Sequence, residues 1–279
     1  MKRRIFGFLI LMALLAPMVG MAGVAGAAAP SVTLEVVWMA WPKDMVDQLI
    51  AGFNKIHPEI KIDMQLVPFT QLFQTLEVRL PAGGTPDVYI VDGPLTPSYA
   101  ARGFLLPLDQ YFTASELKAW FPASVDTSRY QGKLYSIPYA TSSAALFYNV
   151  DIFKQYGVAA PSSDTRLTWE QVAELARKLT IDSNKDGQVD VWGLLIEQID
   201  RPYQLLPLAQ SKGAKAISAD GLTTSGYIDS KPFVEAATFY SKLFNEWKVS
   251  PQGIPDAAKS REYFGNGKAA MMLGAEWNI

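Results

Sequence analysis

The chain has 279 residues, 49% of them hydrophobic and 19% charged, with a formal net charge of -2 at pH 7, one histidine and no cysteine. That mild acidity, with no Lys/Arg run past the first residues, excludes nucleic acid and anionic membrane surfaces as partners, because both need basic patches. The lack of cysteine and near lack of histidine remove zinc sites and Cys/His or Ser/His catalysis, while the length suffices for two domains that hold together without disulfides.

Residues 1–27 read as a secretory signal. Lys2, Arg3 and Arg4 start it, Ile5 to Val19 form an apolar run too short to span a membrane, and Ala25-Gly26-Ala27 is the small-residue cleavage site. Its removal takes the formal charge from -2 to -5, since three cations leave with it. With no cysteine following the run, no lipid anchor is expected there. The mature protein is expected in the periplasm or outside the cell.

The mature chain opens with "VTLEVVW", where Val32, Leu34 and Val36 alternate with polar residues as in a half-buried strand. Met45, Val46, Leu49, Ile50, Phe53 and Ile56 then share one helical stripe that Pro58 ends. His57 falls at that helix's C-terminus, where a partly positive ring is favoured. A second alternating strand follows from Ile60 to Leu66. Next come a helix on Leu72, Leu76 and Leu80, the turn "AGGTP", and "DVYIV", an apolar strand expected to be buried on both faces. Helix-sized connections between such strands predict a parallel sheet.

Past Asp109 the pattern changes. "KLYSIPYATSSAALFYN" holds two strand-like pieces around Pro138 to Ser143 with no helix between them, as where a chain crosses between domains. A helix follows at "TWEQVAELARKL", opened by a capping box from Thr168 to Gln171. Then come the strand "VWGLLI", a long helix from Pro232 to Trp247, and a turn into the apolar run Ala269 to Leu273. Trp169, Trp247 and Trp120 fall on helical stripes and Trp192 enters a strand, so these four are assigned to the core.

Two motifs invite a cofactor. "DSNKDGQVDVWG" sets Asp182, Asn184, Asp186 and Asp190 in calcium-loop spacing, but Gly193 stands at the twelfth position, where a bidentate glutamate closes the shell. It reads as an Asx-rich turn, and calcium is the single cofactor candidate. "GNGKAA" imitates a dinucleotide fingerprint, yet a helix-like segment precedes it instead of a strand, so it reads as a turn.

Trp38, Trp41, Asp92, Tyr139, Tyr203 and Trp277 each fall at a predicted strand end or helix start. In open α/β sheets ligands bind beyond the carboxyl ends of the strands, and aromatic faces there suit the CH-rich faces of sugars.

At this point the sequence resembles the family 1 extracellular solute-binding proteins, the maltose-binding-protein-like sugar-capturing subunits of ABC importers. Seven segments carry the likeness in order: "FNKIHPEIKI", "PAGGTPDVYIVDG", "GFLLPLDQYF", "YQGKLYSIPYATSSAALFYN", "TWEQVAELARKL", "DSNKDGQVDVWGL" and "FGNGKAAMMLGAEWNI". The resemblance implies an α/β, two-lobe periplasmic binding protein fold of type II with ligand held between lobes at 28–140 and 141–279. Because family members continue past the "AEWNI" segment, both lobes are expected to be incomplete, with the C-terminal part missing and apolar faces exposed. It implies ligand-facing roles for Asp92, Tyr203 and Trp277, and less directly for Trp38, Trp41 and Tyr139. Where maltose-binding members carry an acid after the first crossing, this chain has Ser142 or a neighbour, so maltose itself is not implied.

The expected function is that of a monomeric carbohydrate receptor for an ABC permease, without catalysis. Two alternatives stand beside it: a binding protein for a polyol or glycerol phosphate ester, with Arg201 as the phosphate partner, and a secreted calcium-dependent glycosidase or lectin.

Overall fold

The computed structural model describes residues 32–162, 164–197, 203–252 and 257–278. The predicted leader and Arg201 lie outside them. None of the described helices is long and apolar enough to cross a membrane. The chain divides into two compact units, one formed within residues 1–69 and 86–89, the other from 70–85 and 90–279.

The first unit contains β1 (Val32–Met39), α1 (Lys43–Ile56), β2 (Ile60–Val67) and β3 (Val88–Tyr89). Its strands form the expected parallel sheet in the order β2-β1-β3, with Val32 opposite Ile60 and Val36 opposite Val88. Val36 and Val37 of the central strand are buried. Helix α1 ends as Pro58 requires, and the His57 amide caps it by donating to Phe53 O at 2.9 Å. The "DVYIV" strand departs from expectation. Only Val88 and Tyr89 pair, at the edge of the sheet among the described residues, and Val88 is 44% exposed. On the α1 stripe only Val46 is buried, while Met45, Leu49 and Ile56 stay exposed. A three-stranded sheet whose third strand is two residues long offers too little apolar surface to cover the whole stripe.

The second unit starts with α2 (Phe69–Arg79), which buries Leu72, Phe73 and Leu76 as its spacing predicts. Short helices follow as α3 (Thr96–Ala101), α4 (Ala114–Leu117) and α5 (Pro122–Thr127), then a hairpin of β4 (Arg129–Tyr130) and β5 (Lys133–Leu134). Of the two strand-like pieces expected near Pro138, neither forms at that residue, and 135–143 run without regular structure into β6 (Ala144–Tyr148). The remaining elements are α6 (Val150–Gln155), α7 (Trp169–Lys178), β7 (Trp192–Ile196), α8 (Leu205–Ser211), α9 (Lys231–Asn245), α10 (Ala257–Gly265) and β8 (Ala269–Ala275).

Strand β8, all small or apolar, is buried along its whole length because it lies between β6 and β7, antiparallel to the first and parallel to the second. The two-residue period of its partners divides the core. Leu194, Ile196, Met271 and Leu273 pack with Ile152, Phe153, Val172, Ala173, Ala176 and Leu243 of α6, α7 and α9. Leu195 and Met272 pack on the other side with Phe147, Trp192 and Phe264. Each fully buried Leu, Ile, Met or Phe stabilises the unit by about 1.5–3 kcal/mol.

The predicted capping box opens α7: Gln171 N donates to Thr168 Oγ1 at 3.2 Å and Thr168 N to Gln171 Oε1 at 2.8 Å. At its other end α7 presses on β7 so closely that a Cβ at Gly193 would lie 1.8 Å from Ala176 O. Thr180 bridges the contact, its Oγ1 donating to Ala176 O at 2.8 Å and accepting from Gly193 N at 3.2 Å.

The tryptophans assigned to the core are all half-buried. Trp169 and Trp247 pack on the α7/α9 side of the sheet and Trp192 on the other. Trp120 and Trp247 lie just past helix ends rather than on helical stripes, Trp120 edge-on to Phe112 at 6.4 Å. "GNGKAA" joins α10 to β8 as a turn with Gly267 at φ +68, the reverse of the strand-to-helix order a dinucleotide site needs.

Candidate functional site

Parallel pairing puts the carboxyl ends of β7 and β8 at one edge of the second sheet, and antiparallel β6 begins at that same edge. Glu197 is the first residue past β7, and its amide donates to Leu273 O at 3.0 Å. Beyond β8 the chain makes a 3-10 turn, Glu276–Asn278, that carries Trp277. Glu276 Oε2 accepts from Ser143 N at 2.9 Å, which holds the start of β6, and with it the neighbouring Ser142, beside this turn.

The side chains here are linked in series. Trp277 Nε1 donates to Glu197 Oε1 at 2.7 Å, and Gln204 Nε2 donates to Glu197 Oε2 at 3.3 Å. The Trp277 ring meets Tyr203, just ahead of α8, with centroids 6.2 Å apart and planes tilted by 56°. Tyr203 Oη in turn donates to Asp92 Oδ2. Asp92 sits where the chain leaves β3 and enters a 3-10 turn at Gly93–Leu95. That turn seats against α5, a Cβ at Gly93 being 3.3 Å from Thr127 Oγ1. Burial, and secondarily the Asp92 charge, raise the Tyr139 phenol above its ordinary pKa of 10.0.

Four of the predicted site residues, Asp92, Tyr139, Tyr203 and Trp277, are thus brought into one neighbourhood, and Ser142 lies at the same sheet edge. Trp38 and Trp41 belong to the first unit, at the carboxyl end of β1, stacked edge to face with centroids 5.9 Å apart. Glu197, Gln204 and Glu276 were not singled out by the sequence. The available signal was Glu197 itself, the first charge after the apolar strand "VWGLLI" and at its carboxyl end.

Chemically, this edge offers ring surface and acceptors. Trp277 is 38% and Tyr139 47% exposed. Glu197 is 0% exposed with both oxygens already accepting, so it is not placed to move protons at a ligand.

The Asp-rich turn uses its carboxylates differently. Asp182 accepts from the amides of Asp186 at 3.2 Å and Gly187 at 2.9 Å, Asp186 from Gln188 N at 2.8 Å, and Asp190 from Ser183 N at 2.8 Å. No group of three or more metal-ligating side chains occurs among the described residues. Steric contact with α7 keeps a ligand side chain off the twelfth position.

A family model described as bacterial extracellular solute-binding protein matches residues 39–279. The maltotriose-binding protein of Pyrococcus abyssi is 25% identical over 80% of this chain and 44% of its own length. The galactooligosaccharide-binding protein of Bacillus subtilis is 25% identical over 88% of this chain and 55% of its own. Among solved structures, an ABC substrate-binding protein of Listeria monocytogenes in complex with cycloalternan superposes with a TM-score of 0.74 at 25% identity, covering 88% of this chain and 62% of that one. The chain spans about half the length of the curated relatives it matches.

Proposed function

Since the chain belongs to the bacterial extracellular solute-binding protein family, we propose that it is an exported carbohydrate receptor that hands sugar to an ABC transporter permease and carries out no catalysis. The observation that carries this reading is the Asp92–Tyr203–Trp277–Glu197 series at the carboxyl edge of the second sheet. Relatives named for maltotriose and galactooligosaccharide support the ligand class.

Trp277 and Tyr139 supply ring faces, each worth about 0.5–1.5 kcal/mol beyond area burial. Asp92 and Ser142 supply polar groups for hydroxyls. Together with charge-assisted hydrogen bonds, two or three such contacts support binding near about 1 μM. A ligand that prefers one conformation shifts the population towards it, and that conformation is the one the permease reads. On the same reading the protein is a monomer of the periplasm or cell exterior, its lobes divide near residue 140, and the Asp-rich turn is a calcium-independent connection.

A thermal-shift screen against a sugar panel tests the function. A ligand at 100 times its Kd stabilises the native state by about 2.7 kcal/mol and raises the melting point. If only polyols or glycerol phosphate esters raise it, or if a glycoside is hydrolysed, the carbohydrate-receptor reading fails.

A further inference from the structure

We propose that Glu197 is the positioning residue of this site, a buried carboxylate that fixes the Trp277 ring without touching the sugar; the inference rests on the carbohydrate reading above. At the end of β7 it receives donors from two other segments, the residue before α8 and the turn after β8, the latter 80 residues away. Its side chain follows the apolar strand residues Leu194, Leu195 and Ile196, where an aliphatic side chain would extend the core at less cost, since burying a carboxylate is unfavourable unless its oxygens are satisfied. One indole N–H and one side-chain amide N–H donate to them.

Trp277 has two side-chain torsions, and its ring is more than a third exposed. The bond from Nε1 to Glu197 ties the polar edge inward, which fixes both torsions and leaves the ring face in contact with Tyr203 and with solvent. A ring already held in its binding orientation loses less freedom when a ligand arrives.

Towards the ring, the role is that of an acceptor held at the indole N–H. In Glu197→Gln the amide oxygen accepts from the indole and the amide nitrogen donates to Gln204 Oε1 once the Gln204 amide turns over. In Glu197→Leu the indole has lost its acceptor.

Two measurements on the full chain decide the matter. Without ligand, the indole 15N–1H resonance of Trp277, assigned by its disappearance in Trp277→Phe, is expected to be protected from exchange in the wild type and in Glu197→Gln, and unprotected in Glu197→Leu. Protection that persists in Glu197→Leu overturns the proposal. Should that variant fail to fold, an unprotected indole in Glu197→Gln overturns it equally.

With maltotriose as probe, Glu197→Leu is expected to weaken binding about tenfold and Glu197→Gln less than about threefold. In a Trp277→Ala background the leucine substitution should add less than about twofold, because its effect passes through the ring. An undiminished loss in that background refutes the positioning role. Failure of the wild type to bind maltotriose or any other sugar instead counts against the carbohydrate reading, and the indole measurement still decides whether Glu197 holds the ring.

Discussion

Gly193→Ala places a methyl group where the backbone of α7 already lies. The new Cβ would be 1.8 Å from Ala176 O, 2.4 Å from its carbonyl carbon and 2.6 Å from its Cα, all main-chain atoms that no rotamer change can move. Comfortable contacts fall near about 3.5 Å, so α7 must withdraw by well over about 1 Å. Overpacking of this kind costs about 1–3 kcal/mol. Withdrawal also breaks the two hydrogen bonds of Thr180 that join helix to strand, each worth about 0.5–1.5 kcal/mol. The total of about 2–6 kcal/mol is a large share of a domain stability of about 5–15 kcal/mol. At about 2–4 °C per kcal/mol the melting point should fall by roughly 4–24 °C. Circular dichroism melts and urea unfolding read this directly, and a variant melting within about 2 °C of the wild type would refute the argument.

Trp277→Ala should weaken carbohydrate binding at least about tenfold, or about 1.4 kcal/mol, by titration calorimetry; unchanged affinity removes the ring from the site. The raised Tyr139 phenol, held up first by burial and then by Asp92, contributes stability that is complete below pH 10.0 and is lost as pH rises through its folded value. Ultraviolet difference titration, with Tyr139→Phe as reference, should show Asp92→Asn bringing that pKa part of the way down; no change would mean the two groups do not face each other. Calcium or a chelator should leave the melting point within about 1 °C, and a larger rise with calcium would make the Asp-rich turn a metal site. Thr168→Ala removes one half of the α7 capping box and should cost about 1 kcal/mol in urea unfolding, whereas no loss would mean the box is dispensable.

Local pattern was enough for α1, α2, β1, β2, α7 and α9, because each carries its period within its own residues. The position of β8 was not readable in that way. An apolar run such as "AAMMLGA" announces burial, but its place between β6 and β7 is fixed by pairing with strands far away in sequence. The extent of β3 failed for the opposite reason, since apolar residues at a sheet edge look the same as those in its centre. At the site, Asp92, Tyr203 and Trp277 stood out as polar or aromatic groups at element ends and through the family resemblance. Glu197 did not, because a carboxylate after a strand ordinarily faces water, and the indole that meets it in the interior lies 80 residues onward.

The tether on Trp277 also makes the site legible to light. An indole whose N–H is held on a carboxylate while its ring borders solvent emits according to how much water surrounds it. A sugar settling on that ring dries it, so occupancy should shift the emission of this tryptophan to the blue. The protein carries its own optical gauge, readable without a dye and silent in Trp277→Phe.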